Sequence, residues 1–277
     1  MKMRTMFLLL SLGFLTAGLV YGGEAEDNYA QGTEQMKQGD FDGAMKSFAS
    51  AAKLDREQTK YREMYSLVRR IIKTRNVMET EANLAKWKQY AAGLRNFYYS
   101  YRLWDQAYEL DKELFAKEST DENRLMLVES MVAAGKNKEA LAELDKLAEE
   151  KVDNEAKLYR AMALGSSGEK DAAAAILKDI KIADDAPNGM KYYASRANMV
   201  IGDKEHAYEY LKKTLEGVPP SAIENFRLTV KSAPEFAQVT DSEEFTAVLN
   251  TESKISESSC SGGGDCGSCR LSSSCGS

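Results

Sequence analysis

Four cysteines, Cys260, Cys266, Cys269 and Cys275, crowd into the stretch "SSCSGGGDCGSCRLSSSCGS", and no cysteine precedes them. Their spacing, Cys-x5-Cys-x2-Cys-x5-Cys, is open to three chemistries. Two disulfides could close small loops, in any of three connectivities. Four thiolates could bind Zn²⁺ or Cu⁺ in a tetrahedral sulfur site, the only cofactor the sequence suggests. Cys266 and Cys269 could act as an exchanging dithiol. Such a dithiol works from a helix start on a packed domain, and the flanking Ser and Gly offer neither that nor cations to lower a thiol pKa. In an oxidising compartment the disulfide, or covalent attachment through it, is the default.

Elsewhere, residues able to do chemistry are sparse. His206 is the single histidine and no serine or cysteine device can be built around it. Asp and Glu are numerous but spread along helical patterns, and no glycine loop suits a phosphate. The chain is read as non-enzymatic. The densest aromatic run is "NFYYSYRLW" at 96–104. Most of these rings belong to a core, and Tyr99 is expected to be exposed.

The elements that would position any of these come from a repeat. Aligned on Ala44, Ala107, Ala140, Ala173 and Ala207, five segments recur at spacings of 63, 33, 33 and 34 residues. A glycine stands five residues before the alanine in four of them, at Gly39, Gly135, Gly168 and Gly202. There a helix can end with positive φ. Phe48, Leu144, Leu177 and Leu211 follow the alanine by one turn. Each unit reads as two helices of about three turns closing on a small side chain. The second departs from the pattern: Arg102 replaces the turn glycine and Asp111 the bulky apolar residue. The stretch from Gln58 to Glu81 is helical without a glycine break.

The segment "GTEQMKQGDFDGAMKSFASAAKLD" and its partners resemble the tetratricopeptide repeat family, over roughly residues 26–217. The resemblance implies an all-α, right-handed superhelical solenoid of about five helical hairpins, closed by a C-terminal capping segment. Beyond Val218-Pro219-Pro220, Phe226, Leu228, Phe236, Phe245 and Leu249 would form that cap. The resemblance further implies a concave groove that takes a peptide or partner helix. Carried over by alignment, it would be lined by Tyr29, Thr33, Met36, Asn96, Tyr99, Leu125, Glu129, Val132, Leu158, Met162, Tyr192, Arg196 and Met199. It lacks the Lys and Asn ladder with which one subgroup grips a C-terminal carboxylate. An extended or helical segment with apolar anchors fits better.

The N-terminus, "MKMRTMFLLLSLGFLTAGLVYGG", reads as a signal peptide over residues 1–22, with Lys2 and Arg4 before an apolar run too short to span a bilayer. No asparagine begins a glycosylation sequon. The expected setting is a bacterial envelope or periplasm, with no stable membrane span after cleavage. The net charge of −6 opposes a nucleic-acid partner. Residues 23–250 are expected to form the repeat domain, and 251–277 a disordered Ser/Gly/Cys tail. The leading expectation is an exported scaffold that binds a protein segment. The competing one is a metal- or thiol-handling envelope protein acting through its tail.

Overall fold

A computed structural model describes residues 17–256, with side chains from Gly23 onward. Among these residues the protein is all-helical, with thirteen α-helices, two short 3-10 turns and no strand. This architecture is compatible with an α-solenoid. The chain divides after Thr80 into two compact units.

The first unit holds α1 (Ala17–Lys37), α2 (Phe41–Leu54) and α3 (Thr59–Thr80). Helix α1 runs without a break across Gly22, so cleavage there would leave Gly23–Lys37 as its helical remainder. Helices α1 and α2 form a hairpin, and α3 packs on α2. Gly32 of α1 permits that hairpin's closeness: a Cβ there would stand 2.8 Å from the Phe48 ring. The long spacing of 63 in the sequence is explained by α3, a single uninterrupted helix of 22 residues rather than a hairpin.

The second unit contains four more hairpins. They are α4 (Leu84–Ser100) with α5 (Trp104–Lys117), α6 (Asp121–Ala133) with α7 (Asn137–Leu144), α8 (Asn154–Ser166) with α9 (Lys170–Lys178), and α10 (Asn188–Ile201) with α11 (Lys204–Glu216). The first helices of successive hairpins pack on one another, α6 on α8 and α8 on α10. Gly165 of α8 lets α10 approach, since a Cβ there would lie 2.5 Å from a methyl of Val200.

One turn geometry closes all five hairpins. Residues 39, 102, 135, 168 and 202 have positive φ, and they are the only described residues that do. At each, two hydrogen bonds cross: Gly39 N–H donates to the Met36 carbonyl and Asp40 N–H to that of Gln35, and the other four turns repeat the pair. This is a Schellman motif, which satisfies carbonyls left over at a helix end. Arg102 adopts φ 56° to keep it, against the preference of a side chain with a Cβ. Five residues on, Ala44, Ala107, Ala140, Ala173 and Ala207 are wholly buried between paired helices.

The C-terminal segment is α12 (Pro220–Ser232), a 3-10 turn at Pro234–Phe236 and α13 (Glu243–Leu249). Phe226, Phe236, Phe245 and Leu249 are buried with Tyr208 and Leu211 of α11, as a cap requires. Leu228 departs from the expectation: it lies on the outer side of α12 and is 61% exposed. Helix α12 also packs on α4. The Arg102 guanidinium donates to the Lys231 carbonyl, and Ser232 Oγ lies 3.5 Å from the Ser100 carbonyl. Within this unit the last helix region therefore meets the first.

Candidate functional site

The residues aligned on the inner helices have contrasting fates. In the first unit Met36 is buried, while Tyr29 and Thr33 are half-buried and the Tyr29 ring packs between Phe48 and Tyr61. In the second unit Asn96 is exposed and Leu125 is half-buried. Glu129, Val132, Leu158, Met162, Tyr192, Arg196 and Met199 are all buried. Tyr99, expected at the surface, is half-buried; the Arg95 guanidinium lies 4.4 Å from its ring centre and bonds its hydroxyl at 3.0 Å. The rest of the aromatic run splits as core and rim: Phe97 and Tyr98 are buried and Tyr101 is exposed.

What occupies the inner side of the second unit is a chain of five charged side chains. Arg95 of α4 donates through Nε to both Asp111 oxygens at 3.0 and 3.1 Å, and through a terminal nitrogen to Glu129 of α6 at 2.7 Å. The second Glu129 oxygen accepts from Arg196 of α10 at 3.0 Å, and Arg196 donates on to Glu235 at 2.9 Å. The run thus ties α4, α5, α6, α10 and the turn after α12. Arg196 and Glu235 are only 3% and 4% exposed. Tyr192, Tyr193 and Tyr159 form the aromatic wall around Arg196.

The repeat itself explains the first pair. Two positions 16 residues apart recur in each hairpin as Gly32 and Phe48, Val128 and Leu144, Ala161 and Leu177, and Ser195 and Leu211, and Gly32 lies directly against the Phe48 ring. In the second hairpin the same two positions hold Arg95 and Asp111. An uncharged residue paired with a bulky apolar one has been exchanged for an ion pair. Glu129 and Arg196 likewise occupy one repeat position, two hairpins apart, with Met162 between them. Sequence reasoning placed Glu129 and Arg196 on the inner side but missed Arg95 and Glu235. The available signal was the simultaneous loss of the small residue and its bulky partner in one hairpin.

Three carboxylates face two guanidinium groups, so the electrostatics are uneven. Burial alone would raise the Glu129 pKa, but Arg95 and Arg196 outweigh it and hold the carboxylate below its ordinary value. At Asp111 burial outweighs the pull of the one neighbouring cation, Arg95, and the pKa is raised. Desolvation works against both guanidinium ions, yet their neighbours keep them firmly charged. Two atoms, Nε of Arg196 and Oε2 of Glu235, are buried with no hydrogen-bond partner among the described residues. Such groups cost free energy. The ion pairs join side chains from α4, α5, α6, α10 and the turn after α12, so the arrangement reads as a lock that fixes how these elements meet.

His206 lies at the surface in the first turn of α11, with Nδ1 2.7 Å from Asp203 Oδ2. Asp203 also caps the helix by accepting from the His206 N–H at 3.1 Å. Among the described residues no three His, Cys, Asp or Glu side chains are grouped to hold a metal, and no helix is long and apolar enough to cross a membrane. Cys260, Cys266, Cys269 and Cys275, and residues 1–16 of the expected signal peptide, lie outside the described residues. No family model matches the chain, and no curated protein matches it.

Proposed function

We propose that the protein is a non-enzymatic, exported scaffold of tetratricopeptide type, a right-handed superhelical array that offers a prebuilt surface to a segment of a partner protein. The observation that carries the reading is the hairpin register. Five turns with one hydrogen-bond pattern each precede a wholly buried alanine by five residues. A register of this kind, repeated hairpin after hairpin, is what an array of stacked repeats calls for. A surface fixed in this way leaves most of the ordering cost of binding to the partner. The Arg95–Glu129–Arg196 run supports the same reading, since its ion pairs tie α4, α6 and α10 together. Export to a bacterial envelope is proposed from the residues before Gly23.

The test separates the hairpins from the tail. The chain lacking residues 251–277 is compared with the full chain for capture of partners from an envelope extract. Retained capture supports the scaffold. Loss of both the partners and any bound metal on deletion would assign the work to the four cysteines instead.

A further inference from the structure

We infer that the exposed face of α3 is a docking surface for an acidic segment of a partner protein. The inference rests on the scaffold reading and gives its partner a chemistry. One side of α3 packs inward through Tyr61, Met64, Val68 and Ile71, at helical spacing. The other presents Arg62, Arg69, Arg70 and Lys73, all exposed.

The helix's remaining cations are employed within the unit: Lys60 pairs with Glu26 at 3.0 Å, and the Arg75 guanidinium lies 5.0 Å from the centre of the Phe41 ring. The four on the outer face have no ion-pair or hydrogen-bond partner among the described residues. Arg69 and Lys73 stand one turn apart, where like charges repel. In a chain with 43 acidic against 37 basic residues, this stripe is a local reversal of sign. Glu63 is the one acidic residue among them. Beside the stripe an open depression is lined by Met45, Ile72 and Val77 together with Arg69 and Lys73.

Guanidinium groups pair carboxylates two bonds at a time. From Arg62 to Lys73 the stripe runs about 16 Å, the length of roughly five extended residues or three helical turns. Carboxylates would follow the stripe while an apolar side chain entered the depression. A lipid surface fits less well: the bulky residues of α3 face inward, leaving too little to insert into a membrane interface. Nucleic acid would meet a short stripe on an otherwise acidic chain.

The test measures binding of a fluorescein-labelled peptide of alternating Glu and Leu to the full chain, at about 50 mM and about 500 mM salt. Arg69→Glu with Arg70→Glu is expected to weaken it about tenfold or more at low salt, because both attractive pairs become repulsive. Lys138→Glu with Lys178→Glu, in the second unit, is expected to leave it unchanged. Both variants change exposed residues, and circular dichroism checks that each folds. Equal loss in both variants, or binding only to anionic phospholipid vesicles or to a single-stranded oligonucleotide, overturns the inference. If the Arg69/Arg70 variant still captures its partners from an envelope extract, the α3 surface is wrong and the scaffold stands. If the unaltered chain captures none, the scaffold reading itself has failed.

Discussion

The carboxylate of Glu129 in α6 stands 3.0 Å from the guanidinium of Arg196 in α10, 67 positions later in the chain. Its other oxygen holds Arg95 at 2.7 Å. One buried side chain therefore answers two cations from two other helices. Removing it leaves both charges in a desolvated site without their common partner, the situation in which a broken buried pair is most costly. Glu129→Ala is expected to destabilise the protein by about 3–5 kcal/mol. Urea unfolding monitored by circular dichroism gives the value. A loss under about 1 kcal/mol would mean that the pair is solvated and holds nothing together.

The exchange of an apolar contact for Arg95 and Asp111 makes a separate prediction. If the two positions act as a unit, replacing one should hurt more than its share. Asp111→Leu takes from Arg95 one of its two carboxylate partners and sets an apolar side chain against its Nε, whereas Arg95→Ala with Asp111→Leu restores the small-against-large pattern of Ala161 and Leu177. The double-mutant cycle is expected to show coupling of about 1–3 kcal/mol, with the double variant more stable than the sum of the singles predicts. Additive effects would contradict it.

Turn geometry can be tested where space and φ separate. A Cβ at Gly168 meets nothing within 4 Å, yet φ there is 91°. Gly168→Ala is therefore expected to cost about 1–2 kcal/mol through backbone strain alone. Gly93 lies within α4, also with nothing near its added Cβ, and its φ is not positive. Gly93→Ala should stabilise by about 0.5–1 kcal/mol, because glycine weakens a helix interior. Thermal unfolding of the two variants should shift in opposite directions.

His206 supplies a pH signal. The hydrogen bond that the imidazole donates to the Asp203 carboxylate, and then that carboxylate's charge, raise the imidazole pKa above the ordinary value. A pKa raised by folding contributes stability that is present below the unfolded value, about 6.5, and is lost as pH rises through the folded value. The ring is exposed, so the effect on stability is small, and NMR titration of the imidazole is the direct readout. Asp203→Asn keeps a good helix cap and should return the pKa toward its ordinary value. An unchanged titration would mean that the 2.7 Å contact is absent in solution.

Much of the fold could be read ahead of the structure because it is written in local rules. Glycine at a positive-φ turn, alanine at a close contact and an apolar residue one turn later each have a single short-range cause. The burial of Phe226, Phe236, Phe245 and Leu249 was legible, but Leu228 was misplaced because helical spacing alone does not say which of two apolar faces turns inward. The inner face was harder. Its positions followed from alignment, while the burial of Glu129 and Arg196 depends on Arg95 and Glu235, residues that become neighbours only when α4, α6, α10 and the turn after α12 converge. The degenerate second hairpin held the clue: Arg102 and Asp111 break the pattern, and each makes a contact that the regular residue would not, one to the Lys231 carbonyl and one to Arg95.

The central claim is that the inner helices of the second unit are locked together and that a partner is received on an existing surface, at α3. Hydrogen–deuterium exchange of the full chain, with and without the acidic peptide, tests it most directly. The account predicts that α6 and α10 around Glu129 and Arg196 are already strongly protected in the free protein and do not change, while protection rises in α3. Weak protection of α6 and α10 in the free chain, rising on binding while α3 stays the same, would contradict it.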